Sequence, residues 1–310
     1  MIKPKVLKKG DTIGLIAPSS AVREEDHVEK SVQSLAEQGF NVVVGESCNQ
    51  KYGYLSGKDE IRAADINKMF EHPSIRGIFC IRGGYGSLRI LDKIDYEAVK
   101  QNPKVFLGYS DATALHIAFN NICNLVTFHG PMPASDMISN FDDFTKKSYL
   151  KAIASKTPLG KLDNPEGCQI KTLVPGKARG KITGGNLALV ASTLGTPYEI
   201  DTKDKILFLE DVGEYIYRID RMLMQLKLAG KFDDCSGIIL GDFKDCTAEN
   251  ENSSLTLNEV FQDIIVPLKK PSIYNFMSGH CSPKVTLPFG VESHLDAKKG
   301  ILKITKCALR

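Results

Sequence analysis

A chain of 310 residues is long for one hydrophobic core and comfortable for two domains. With 42% hydrophobic and 25% charged residues it has the make-up of an ordinary globular protein, and a net charge of +3 on scattered Lys and Arg offers no stripe for nucleic acid or an anionic membrane. No stretch approaches the ~18 apolar residues of a membrane span, and residues 1–10 carry no apolar leader or small-residue cleavage site, so the expected location is the cytoplasm.

The first half alternates strands with helices. A buried-strand run over 12–17 is closed by Pro18-Ser19-Ser20. A helical pattern over about 24–38, with Val28, Val32 and Leu35 on one face, stops at Gly39. Residues 40–44 read as the next strand. Ser56-Gly57-Lys58-Asp59 has the form of a capping box for a helix through Phe70, which Pro73 ends. Further strands are expected over 77–81, 104–107 and 125–128. Strands separated by single helices imply right-handed βαβ units and a mostly parallel sheet, an α/β fold.

Between Pro131 and Pro175 that rhythm breaks, with Pro133, Pro158, Gly160, Pro165 and Gly167 as punctuation. The expected organisation is therefore an N-terminal domain over 1–140, a connecting segment over 141–175 and a C-terminal domain over 176–310. In the latter, Gly184-Gly185-Asn186 enters an apolar helix over 187–194, and a strand over 206–209 runs into Glu210. An amphipathic helix is expected over about 215–228 and a strand over 237–240. The last third is loop-rich, with short β runs at 284–287 and 301–305.

Eight cysteines stand singly, without a C-x-x-C pair, which fits reduced buried thiols better than disulfides or zinc. Six histidines without H-E-x-x-H or an H-x-H cluster give no metal site, so neither metal nor organic cofactor is expected.

Chemistry centres on Gly108-Tyr109-Ser110-Asp111, which follows the apolar run Val105-Phe106-Leu107 and precedes a helix. A serine at a sharp strand-to-helix turn is held out of the sheet with its hydroxyl exposed, although Ala112 stands where the G-x-S-x-G elbow has glycine. Ser and Asp after a strand are also ordinary helix caps. A serine nucleophile needs a histidine base and a carboxylate to orient it. His27 and His72 read as surface residues, His116 faces away from Ser110 on the same helix, and His294 sits in a polar loop. His129 at a strand end and His280 in a glycine-preceded loop both remain open, as do Glu210 and Asp211 at the end of one strand. Adjacent strand residues point to opposite faces, so only one of those two acids can serve a given site. Arg82-Gly83-Gly84-Tyr85-Gly86 also leaves a strand end; its spacing is not the dinucleotide fingerprint, and its glycines can turn N–H groups toward an anion.

Nearly end to end, the chain resembles the LD-carboxypeptidase family of serine peptidases, which includes muramoyl-tetrapeptide carboxypeptidases. The resemblance rests on Gly14-Leu15-Ile16-Ala17-Pro18-Ser19-Ser20, the Ile81–Gly86 turn, Leu107–Leu115, Phe128-His129-Gly130-Pro131-Met132 and Gly184-Gly185-Asn186-Leu187. It continues through Leu209-Glu210-Asp211-Val212-Gly213-Glu214, Tyr217-Arg218-Ile219-Asp220-Arg221-Met222 and Ser278-Gly279-His280. It implies Ser110 as nucleophile, Glu210 as acid and His280 as base. It also implies an oxyanion hole from the backbone of Asp111 and of Gly83-Gly84, with His129 as a structural residue. The implied fold is a flavodoxin-like or class I amidotransferase-like N-terminal domain carrying the serine and a β-rich α/β C-terminal domain carrying the other two, usually as homodimers. The implied activity removes the terminal D-Ala of a murein tetrapeptide, with Arg82 the best-placed cation for its carboxylate. Alternatives are a microcin C self-immunity hydrolase cutting aminoacyl-nucleotide conjugates, for which the chain lacks any tryptophan to stack a base, a non-catalytic wall-peptide binder, and an α/β-hydrolase esterase, which would want glycine at position 112.

Overall fold

The computed structural model describes residues 1–139, 141–250 and 253–310. Among the described residues the strands are β1 (Thr12–Ile16), β2 (Asn41–Val44), β3 (Ile75–Cys80), β4 (Val105–Gly108), β5 (Thr127–His129), β6 (Gly160–Leu162) and β7 (Lys171–Val174). They continue with β8 (Lys177–Asn186), β9 (Ile206–Val212), β10 (Gly237–Lys244), β11 (Ser272–Tyr274), β12 (Leu287–Phe289), β13 (Glu292–Asp296) and β14 (Ile301–Ile304). The helices used below are α1 (His27–Glu37), α2 (Asp59–Glu71), α3 (Tyr96–Gln101), α4 (Thr113–Asn121), α5 (Asp143–Ala154) and α6 (Leu187–Ser192).

Two compact units divide the chain. The first comprises Met1–Thr157, Thr286–Gly290 and Ala308–Arg310, and the second Pro158–Val285 and Val291–Cys307. The division falls inside the segment read as a connection, with α5 in the first unit and β6 and β7 in the second. Asn140, the end of the expected N-terminal domain, lies outside the described residues.

The first unit holds a six-stranded sheet in the order β12-β5-β4-β3-β1-β2. β1 through β5 pair in parallel, and β12 adds an antiparallel edge with Leu287 opposite His129. The order 2-1-3-4-5 is that of flavodoxin-like sheets, as the family resemblance implied. Its strands are near-continuous apolar runs because both faces are covered: Ile78, Phe79, Phe106 and Leu107 are fully buried. Ligand sites in such sheets lie beyond the carboxyl ends of the strands, beside the point where the order reverses. Here that point is between β1 and β3, whose following loops carry Ser19-Ser20 and Arg82–Gly86; Ser110 follows β4 next door.

Two expectations for this unit are corrected. Ser56 does not cap α2: the capping residue is Lys58, and the Ser56 hydroxyl instead donates 2.5 Å to the Ser47 carbonyl. The stretch read as irregular contains α5, started by the Asp142 side chain accepting from Thr145 N at 2.8 Å and anchored by buried Tyr149, Ala152 and Ile153.

The second unit is built on an eight-stranded sheet, β6-β14-β13-β8-β9-β10-β11-β7. Its centre, β8-β9-β10-β11, is parallel; β13, β14 and β6 on one side and β7 on the other are antiparallel. β9 is buried from Ile206 through Asp211. β8 approaches it so closely that a side chain at Gly184 would strike the Phe208 carbonyl. The length of β8 was not foreseen, because KARGKITGGN carries three glycines and little apolar alternation. His294, expected in a loop, lies inside β13, and the β run expected over 284–287 is instead β12, part of the first unit. No helix among the described residues is long and apolar enough to cross a membrane.

Candidate active site

In the first unit, β4 ends at Gly108 and the chain turns through Ser110 into α4. Ser110 has φ 63°, the left-handed region that costs a non-glycine residue about 1–3 kcal/mol and marks turns held for function. Close packing at the turn falls to Gly108: a methyl group there would lie 3.0 Å from the Ala112 Cβ. The strand, rather than position 112, carries the glycine, so Ala112 is compatible with the elbow.

Asp111 anchors the turn from beneath. It is buried, and its carboxylate accepts from the Ser19 hydroxyl at 2.5 Å and from Ser87 N at 2.8 Å, while the Ser87 hydroxyl donates to its carbonyl at 2.5 Å. Burial raises its pKa, against the pull of these donors. The side chain is thus consumed inside the unit, and only its backbone N–H is available to a substrate.

Gly83 faces the serine directly. A methyl group on it would sit 2.8 Å from the Ser110 Cβ, 2.9 Å from Oγ and 3.6 Å from Asp111 N. The next residue, Gly84, has φ 121° and lies against the Ser20 side chain, whose Oγ accepts from Tyr85 N at 3.1 Å. The Arg82 guanidinium is half-buried, donates to the Ala21 carbonyl at 2.8 Å, and is lowered from its ordinary pKa by burial and then by Arg23.

Two histidines of this unit are built into its interior. His116 is buried with Nε2 2.9 Å from the Gly108 carbonyl, and burial pulls its pKa down to about 4, so it is neutral at physiological pH. His129 ends β5 and packs against Tyr109 and Phe289, with ring centroids 5.9 and 5.3 Å away.

In the second unit, Glu210 near the end of β9 is fully buried and its Oε2 lies 2.7 Å from Nδ1 of His280, whose side chain is 15% exposed. Asp211 points the other way. Its carboxylate accepts from Asn186 Nδ2 at 2.9 Å, Ala188 N at 3.0 Å and Val212 N at 2.8 Å, and burial lifts its pKa to about 6. It holds the entry of α6, and Glu210 is the acid that meets an imidazole. Gly279, with φ 118°, makes room for the pair: a methyl group there would lie 2.6 Å from Glu210 Oε2. Among the described residues no group of three or more His, Cys, Asp or Glu is arranged to hold a metal.

Sequence reasoning missed two polar groups. Asp242 follows β10's buried core, adjacent to Glu210's strand; its backbone N–H donates 3.2 Å to the Ser278 carbonyl, and burial, then Glu210, raise its carboxyl pKa. Its strand-end position was the available signal. Arg62, fully buried in α2, donates to the carbonyls of Pro18 and Gly86, the latter at 2.8 Å, and pairs with Asp59. It ties the loop after β1 to the turn after β3, and nothing in the sequence of the helix around it announced that.

A serine on a strained strand-to-helix turn and a buried carboxylate holding a histidine are the working parts of a serine hydrolase. The chain belongs to the LD-carboxypeptidase family: residues 13–130 match the family's N-terminal domain and 179–295 its C-terminal domain. It is 42% identical to a probable murein peptide carboxypeptidase of Bacillus subtilis, over 95% of this chain and 91% of that one. It is 31% identical to the microcin C7 self-immunity protein MccF of Escherichia coli, over 97% and 94% respectively. A structure of MccF in complex with glutamyl sulfamoyl guanosine matches with a TM-score of 0.90 at 27% identity, covering the whole of both chains. The crystal structure of muramoyltetrapeptide carboxypeptidase from Oxalobacter formigenes matches at 0.84 and 28%, over 95% of this chain and 99% of that one.

Proposed function

We propose that this chain is a serine LD-carboxypeptidase of cell-wall recycling that releases the terminal D-Ala from murein tetrapeptides, with Ser110, His280 and Glu210 as its triad. The observation that carries the reading is the 2.7 Å contact between His280 Nδ1 and Glu210 Oε2, the carboxylate–imidazole pairing in which Nε2 is the nitrogen that moves the proton. In this mechanism His280 Nε2 takes the Ser110 proton as Oγ attacks the carbonyl between the L-centre of the third residue and D-Ala. Glu210 holds the tautomer and stabilises the imidazolium without accepting its proton.

Charge developing on the carbonyl oxygen is received by the backbone N–H of Asp111 and of the Gly83-Gly84 turn. The contact of Gly83 with Ser110 supports this assignment. Protonation of the leaving amine by His280 frees D-Ala, and a water activated by the same histidine hydrolyses the acyl-enzyme. Arg82 answers the free carboxylate of D-Ala, a role its half-buried cationic head suits. The same reading carries a homodimer in the cytoplasm.

A second reading, hydrolysis of aminoacyl-nucleotide conjugates, draws on the likeness to MccF. Comparing kcat/KM for the tetrapeptide, its D-Ala amide and its L-Ala isomer separates the two. Carboxypeptidase action predicts a loss of a few kcal/mol, the scale of one charged hydrogen-bonded contact, for both altered substrates. Equal cleavage of all three would contradict it, and dependence on a nucleobase would favour the second reading.

A further inference from the structure

We infer that Asp242 is a specificity-determining residue that receives the side-chain ammonium of the substrate residue whose carbonyl is attacked. The inference rests on the carboxypeptidase reading above and gives a residue to a substrate group for which that reading names none. Asp242 lies in β10, which pairs with Glu210's strand β9, at the place where the pairing slips. Leu240 is opposite Leu209 and Phe243 opposite Asp211, so Gly241 and Asp242 together stand opposite the single residue Glu210. An extra residue of this kind bends its strand and re-aims a side chain, and such bulges gather beside active sites. Here it sets a second carboxylate within electrostatic range of both Glu210 and His280.

The bulge is fixed by its surroundings. A methyl group on Gly241 would lie 2.7 Å from the Ser278 carbonyl oxygen and 2.8 Å from the Phe208 ring. Asp242 N donates to that same carbonyl at 3.2 Å, and Ser278 Oγ donates to the Val285 carbonyl at 2.9 Å. The strand is thereby fastened to the segment that carries His280. The Asp242 carboxylate has no such anchor. Its Oδ2 is buried and accepts no hydrogen bond from the described residues, while the residue as a whole is only half-buried and keeps an open side. Asp211, by contrast, is met by the three donors described above.

A carboxylate oxygen buried without a donor is costly, and a cation offsets that cost best. The cations of the protein around Asp242 are engaged elsewhere: Lys244 pairs with Asp245 at 3.7 Å and His280 with Glu210 at 2.7 Å. Burial and then Glu210 raise the Asp242 pKa, whereas Lys244 and His280 pull it back, so His280 lies within reach of its charge. In the reading above His280 serves the carbonyl between the third residue and D-Ala. The Cα of that third residue is one bond from the reacting carbon. A lysine or diaminopimelate there carries an ammonium on a flexible four-carbon stem, a compact charge suited to a half-buried carboxylate near the base. The carboxylate of D-Ala would be repelled by Asp242, so the amine is the substrate group that fits.

The test measures kcat/KM for D-Ala release from lysine and diaminopimelate tetrapeptides, each with its side-chain amine free or acetylated. Wild type, Asp242→Asn and Asp242→Glu are compared. Wild type is expected to prefer the free amine by about 10- to 100-fold, the range of a hydrogen bond between charged groups. Asp242→Asn should lose most of that preference while cleaving the acetylated peptides within a few-fold of wild type. Asp242→Glu, which keeps the charge, should retain part of the preference. A residue that only supports the fold would lower all four rates together and leave the ratio unchanged. Equal use of free and acetylated peptides by wild type, which needs no variant to observe, would overturn the inference, as would an unchanged ratio in Asp242→Asn. D-Ala release without an amine preference refutes the inference alone. No release from any of the four peptides refutes the carboxypeptidase reading and the inference with it.

Discussion

Nδ1 of His280 sits 2.7 Å from Oε2 of Glu210, and the contact exists because the residue before the histidine has no side chain. Gly279 has φ 118°, where an alanine is strained by about 1–3 kcal/mol, and its methyl group would press 2.6 Å from the carboxylate oxygen. Gly279→Ala is therefore expected to separate the pair, lowering kcat at least as much as Glu210→Gln does. Both should fall short of His280→Ala, because the carboxylate orients the base and does not itself move the proton. Steady-state kinetics on the three variants checks the order; small and equal effects of Glu210→Gln and His280→Ala would point to another pair.

Gly83 is constrained by space alone, since its φ lies outside the left-handed region. Gly83→Ala should leave the melting temperature within a few degrees of wild type and lower kcat by about 10²-fold, the scale of a misplacement near 1 Å in a catalytic group. A fully active variant would mean that the Gly83–Ser110 contact is unrelated to the chemistry.

Asp211 gives a pH signature that is separable from catalysis. Burial lifts its pKa to about 6, against an ordinary 3.8, so between those values the folded chain binds more proton than the unfolded one. Its contribution to stability is therefore largest at low pH and declines as pH rises through 6, by about 3 kcal/mol in all. Asp211→Asn lacks that decline, so its stability relative to wild type should improve between pH 4 and 7 in urea unfolding. A difference that does not change with pH contradicts the assignment.

Metal independence follows from the chemistry assigned to Ser110 and His280 and from the absence of ligand-spaced residues in the sequence. Activity should survive exhaustive dialysis against EDTA. A loss that added zinc restores would overturn the serine mechanism.

Much of the first sheet was legible because β1, β3 and β4 are short, mostly apolar runs alternating with helical patterns, which fits buried parallel strands. The glycine-rich β8 and helix α5 were not, since the first looks like a turn and the second begins in proline-flanked sequence. At the site, strand ends pointed to Ser110 and to Glu210 or Asp211. The residues alone left the two acids open and the family resemblance implied Glu210; in the structure Asn186 and the α6 backbone take Asp211, and His280 meets Glu210. Arg62 escaped notice because a buried arginine in a helix carries no local pattern, whereas Asp242, near the end of β10, carried the same strand-end signal as Glu210 and was passed over.

Ser110 as nucleophile is the centre of the account, and D-Ala release by wild type and Ser110→Ala, measured side by side on a murein tetrapeptide, tests it most directly. With folding verified by circular dichroism, Ser110→Ala is expected to lower kcat by about 10⁴-fold or more. A Ser110→Ala protein that releases D-Ala at a near-normal rate would contradict the serine mechanism outright.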